Sequence, residues 1–114
     1  VTKKLSSSVV SEIGMIIKMQ KETDQETISS YAKEFYDISI NYYSNQEISL
    51  DINTPKTIVE RTLVREIGER LDTKTWVQDF PEEKKVKVII PLGSSIIEFL
   101  IPRRNVYATN SHIF

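Results

Sequence analysis

Residues 74–102 read KTWVQDFPEEKKVKVIIPLGSSIIEFLIP, and this stretch decides the fold class. It divides into three runs, 74–80, 85–92 and 95–102, separated by Pro81-Glu82-Glu83-Lys84 and by Gly93-Ser94. Each run is rich in β-branched and aromatic residues and is bounded by turn residues, the pattern of strands joined by tight connections. Val86, Val88 and Ile90 fall on one face of the middle run, and Ile97, Phe99 and Ile101 on one face of the last. Each strand therefore has a dry side and a wetter side, as in an antiparallel meander.

Upstream of this meander the hydrophobic period changes from two to three-and-four. Thr54-Pro55 is a helix start, with the Thr side chain as cap and proline at a position that loses no hydrogen bond. The predicted helix runs to about Asp72, with Ile58, Val59, Thr62, Leu63, Ile67 and Leu71 as its buried stripe. Before it, Ile38, Ile40 and Tyr42 alternate with polar residues, Asn45-Gln46 marks a turn, and Ile48, Leu50 and Ile52 alternate again. These two runs predict a hairpin. Thr23-Asp24-Gln25-Glu26 has the form of a capping box, and the helix it opens places Ile28, Tyr31, Ala32 and Phe35 inward. The first ~18 residues form another helix. Its stripe is Leu5, Val9, Ile13, Ile16 and Ile17 with Val10 beside them, and it is interrupted by Gly14. The expected fold is α+β: about five mainly antiparallel strands, a long N-terminal helix and two further helices.

Composition narrows the function classes. A chain of 114 residues with 39% hydrophobic and 27% charged residues is the size and make-up of one globular domain. A net charge of -1 supplies no basic field to gather phosphates, which argues against a nucleic-acid partner. Zero cysteines exclude disulfides, thiol catalysis and thiolate metal sites. Three scattered glycines, Gly14, Gly68 and Gly93, make no phosphate-binding loop. The single histidine, His112, has no carboxylate or hydroxyl partner placed by sequence, and Glu82-Glu83 sits beside Lys84 and Lys85 in a turn where charges are solvated. No catalytic, cofactor or metal set can be assembled. Among the aromatic residues, Tyr43 and Trp76 are the candidates for a ligand pocket against the sheet.

The order helix, helix, two strands, helix, three strands resembles the connectivity of PAS-like and PDC-like sensor domains. The ends resemble a narrower group. Val1-Thr2-Lys3-Lys4-Leu5-Ser6 opens a helix, and the segment from Ile101-Pro102-Arg103-Arg104 through Thr109-Asn110-Ser111-His112-Ile113-Phe114 closes the chain. These look like the two membrane-proximal borders of the periplasmic domain in EnvZ-like sensor histidine kinases. The resemblance implies a periplasmic input domain, a fragment 1–114 lying between two transmembrane helices of an inner-membrane parent. It also implies a homodimer, with Leu5, Val9, Ile13 and Ile16 as the dimer contact, so that Ile13→Asp would weaken self-association. Lys3, Lys4, Arg103 and Arg104 would lie at the membrane surface. The parent, using ATP and Mg, would phosphorylate an OmpR-like response regulator, possible osmosensing being the family association. No catalytic residue of that kinase falls within this chain. The alternative is a cytosolic PAS-like ligand-binding or protein-interaction domain.

Overall fold

The alternation and helical periods are realised as two layers. The computed structural model describes residues 7–44 and 55–106. In it, helices α1 (Ser7–Met19) and α2 (Gln25–Tyr36) are followed by strand β1 (Ser39–Ser44), helix α3 (Ile58–Leu71), strands β2 (Trp76–Phe80), β3 (Lys85–Leu92) and β4 (Ser95–Pro102), and a single helical turn, α4 (Arg103–Val106). The described strands form one antiparallel sheet in the order β1-β4-β3-β2. Strands β3 and β4 have the bounds that the sequence predicts, and Gly93 supplies the left-handed backbone (φ 63°) that their turn requires. The predicted strand around Ile48, Leu50 and Ile52 lies outside the described residues, as do Lys3, Lys4, Leu5 and His112.

Caps set the helix boundaries. The start of α2 is displaced by one residue from the expected Thr23 box: Asp24 is the N-cap, accepting from the Thr27 backbone N–H at 3.1 Å and from its hydroxyl at 2.7 Å. Helix α3 begins after Thr57 rather than at Thr54-Pro55, because Thr57 and Glu60 make a reciprocal capping box. Asp37 and Asp72 close α2 and α3 in the left-handed conformation, one that short polar side chains tolerate. The Asp37 turn lets the chain pass from helix to strand within two residues.

The core is the helix-facing side of the sheet. Val88, Ile97, Phe99 and Ile101 are fully or almost fully buried there, beneath Ile28 and Ala32 of α2 and Leu63 and Ile67 of α3. Val9, Ile13 and Ile16 of α1 belong to the same cluster and have no exposed surface. Three of the four residues expected at a dimer contact, Val9, Ile13 and Ile16, are thus packed inside this chain, and the fourth, Leu5, lies outside the described residues. One inward reading on α2 also changes. Ile28, Ala32 and Tyr36 carry the buried side, while Phe35 is 62% exposed and leans on Tyr31, ring centroids 4.7 Å apart. At Gly14, an added Cβ would meet Leu71 Cδ2 at 3.7 Å, an ordinary contact.

Two predictions follow from this packing. Ile13→Asp places an unpartnered carboxylate in the core and should cost more than about 3 kcal/mol, abolishing cooperative unfolding by circular dichroism. Met15→Asp, on the 50% exposed side of the same helix, should change stability by less than about 0.5 kcal/mol. Equal effects would refute the orientation of α1. The pH dependence has a definite sign. Burial pushes the Glu60 carboxyl up, but the backbone N–H groups of Asp79, Lys56 and Thr57 outweigh it and hold the pKa below its ordinary value. A depressed carboxylate stabilises above its unfolded pKa, and that contribution is lost as pH falls through the folded value. Urea midpoints measured from about pH 5 downward should therefore decline, and Glu60→Gln should flatten the decline.

Candidate functional site at the exit from the sheet

Three consecutive residues fasten the end of β4 to three different parts of the molecule. The Arg103 backbone N–H donates to the Lys84 carbonyl at 2.8 Å, continuing the β3–β4 ladder by one step. The Arg103 guanidinium donates through Nε and Nη2 to the two carboxylate oxygens of Asp79 on β2, at 2.9 and 3.1 Å. Arg104 Nη2 reaches Asp37 Oδ2 at 2.6 Å, and Lys33 Nζ holds the other oxygen of Asp37 at 2.9 Å. Asn105 Nδ2 donates to the Tyr36 carbonyl at 3.1 Å, and Val106 is fully buried in the core. Lys33, Arg104 and Asn105 thus converge on the C-terminal end of α2, where the helix dipole favours donors and cations.

The two ionic contacts differ in kind. Asp79 has a side chain only 2% exposed, and its bidentate geometry against a planar guanidinium is the arrangement that makes burial of such a pair tolerable. Arg104 is 74% exposed and its pair with Asp37 is open to water and salt. Lys33 first, and Arg104 beside it, hold the Asp37 carboxyl below its ordinary pKa. The first contact is structural; the second orients the exit helix against α2 at little energetic cost.

Arg103 and Arg104, the basic pair expected at a membrane surface, each meet a carboxylate within the fold. Asp79 has a signal in the sequence: it falls in phase with Val77 on β2, and both oppose core-facing positions of β3. A carboxylate at an inward strand position implies a partner. Asp37 and Asn105 carry no comparable local signal.

Tyr43 and Trp76 both lie on the sheet face away from the helices, opposite Ile96 and Ile89 respectively. They stand on the two outer strands of the described sheet, three strand spacings or about 14 Å apart, so they share a face without closing one pocket. Between them Glu98 is buried, accepting from Asn41 Nδ2 at 2.9 Å with Lys87 Nζ at 3.6 Å. A cavity of about 330 Å³ lies elsewhere, lined by Val10 of α1 and by Glu66, Glu69 and Arg70 of α3. Among the described residues, no group of three His, Cys, Asp or Glu side chains is placed to hold a metal ion, and no helix is long and apolar enough to cross a membrane. No protein-family model, curated protein or solved structure matches the chain.

Removing one member of the buried pair should separate the two clasps. Asp79→Ala leaves the Arg103 guanidinium facing a half-buried void and should cost about 2 kcal/mol in urea unfolding. Arg104→Ala should cost less than about 1 kcal/mol, an effect that added salt removes. A larger loss from Arg104→Ala than from Asp79→Ala would refute this ranking.

Proposed function

We propose that the chain is the signal-input domain of a membrane-bound sensor histidine kinase of the EnvZ-like type. In this reading it stands in the periplasm between two membrane helices of its parent and pairs with a second copy there. It performs no catalysis itself. The kinase domains beyond it, with ATP and Mg, autophosphorylate and pass the phosphoryl group to an OmpR-like response regulator.

The observation that carries the proposal is the attachment of the exit segment. An input domain has to convert a change in its own packing into displacement of the chain that leaves it, and here that chain is tied to β2 through Arg103 and to the end of α2 through Arg104 and Asn105. The connectivity adds support. The described strands follow the order β1-β4-β3-β2, with α3 crossing between the opposite edges. Among the described residues β1 is an outer strand, and the PAS-like and PDC-like reading expects a fifth strand beside it. Since Val9, Ile13 and Ile16 are buried, a homodimer would have to use other surfaces or the parent's membrane helices.

The absence of cysteine makes the location testable. Glu22→Cys, at an exposed position after α1, should be modified by a membrane-impermeant maleimide in intact cells with a permeabilised outer membrane, in a parent protein freed of other cysteines. Modification only after cell lysis would overturn the periplasmic reading in favour of a cytosolic PAS-like interaction domain.

A further inference from the structure

We infer that Glu60 is a mechanical link between the start of α3 and the exit helix α4. Its two carboxylate oxygens serve different elements. Oε1 accepts from the backbone N–H groups of Lys56 and Thr57, at 2.8 and 3.3 Å, which is the helix-capping half of its work. Oε2 accepts from the Asp79 backbone N–H at 2.9 Å. Capping of α3 requires only the first of these. The second reaches across to β2, an outer strand of the described sheet, where alternate backbone N–H groups have no ladder partner.

Asp79 extends the link. Its N–H is held by Glu60 while its carboxylate holds Arg103 at 2.9 and 3.1 Å, so the residue that anchors the exit segment is itself anchored to the first turn of α3. From Glu60 Oε2 to Arg103 the path runs through part-buried groups, unlike the exposed Arg104–Asp37 contact. Any displacement of the first turn of α3 either breaks the Oε2 contact or moves Asp79, and with it the base of α4. Under the sensor reading this gives α3 a route to the output, and the inference depends on that reading only for the direction of the signal. The coupling itself is a property of the isolated fold.

Amide hydrogen exchange on the purified chain tests it, with Thr57→Ala as the control. Thr57→Ala removes the other half of the same cap and touches neither Asp79 nor Arg103. It should speed exchange in the first turn of α3 and leave residues 103–106 unchanged. Glu60→Gln should speed exchange in both places, by roughly tenfold, since a hydrogen bond to a charged group is weakened. An effect of Glu60→Gln confined to α3 would reduce Glu60 to a cap and overturn the inference. Should Glu60→Gln destabilise the chain so far that exchange proceeds by global unfolding, a double-mutant cycle of Glu60→Gln with Arg103→Gln decides. Unfolding constants that combine to within about twofold of independence overturn the coupling, and a larger interaction supports it. Neither outcome depends on where the parent protein resides in the cell.

Discussion

One face of one sheet has to be covered by helices that come from distant parts of the chain. The side presented by Val88, Ile97, Phe99 and Ile101 is apolar along its length, and its residues share one buried cluster with those of α1, α2 and α3. No single helix has the width to do this, since a helix with its side chains spans about 10 Å and four strands span about 14 Å. The order of the chain follows from that constraint. Because β1 and β2 stand at opposite edges of the described sheet, the segment joining them must cross it, and α3 covers the sheet as it crosses. Helix α1 then fills the remaining space, with Gly14 near Leu71 of α3 and Gln20 bonded to the Tyr42 hydroxyl at 3.0 Å.

The polar groups of the exit segment depend on this apolar frame. Arg103 and Asp79 form a productive pair because β2 and β4 flank β3 in fixed register, so that a guanidinium just past Pro102 meets a carboxylate opposite Val86. Taken alone such a pair contributes little, because the Coulomb attraction is offset by lost hydration. Its value is orientational. Two parallel N–H···O bonds fix the first residue of α4, and Asn105 with the Tyr36 carbonyl fixes the third. Val106 then enters the core. The segment leaving the sheet is thereby tied down at Arg103, Asn105 and Val106.

That arrangement is what the proposed input role would use. Rigid attachment of an exit segment transmits small changes in packing, because close-packed elements shift between discrete arrangements rather than deform smoothly. The far side of the sheet has a different character, with Glu98 buried among Ile89 and Ile96 and held by Asn41 and Lys87. Phe35, by contrast, is exposed although it follows the inward spacing of α2, because the buried side of the helix is centred on Ile28, Ala32 and Tyr36.

The local elements were determined by the sequence itself. Strands β3 and β4 follow from strict alternation between turn residues, the left-handed turn from Gly93, and the helical stripes of α1 and α3 from their apolar spacing, except that Ile58, expected inward at the start of α3, is 71% exposed. Such features depend on residues a few positions apart, which is the range over which backbone periods act. Helix starts were legible only to within a few residues, since Thr23, Asp24, Thr54 and Thr57 are all competent caps and the one used is the one whose partner is in reach. Tertiary structure alone decided which surface the α1 stripe faces and which carboxylates Arg103 and Arg104 meet. An apolar stripe is equally satisfied by a sheet or by a second helix, so its spacing does not name its partner. The contacts of the exit segment join residues 24, 67 and 69 positions apart, and they exist only once the register of the sheet has brought those positions together.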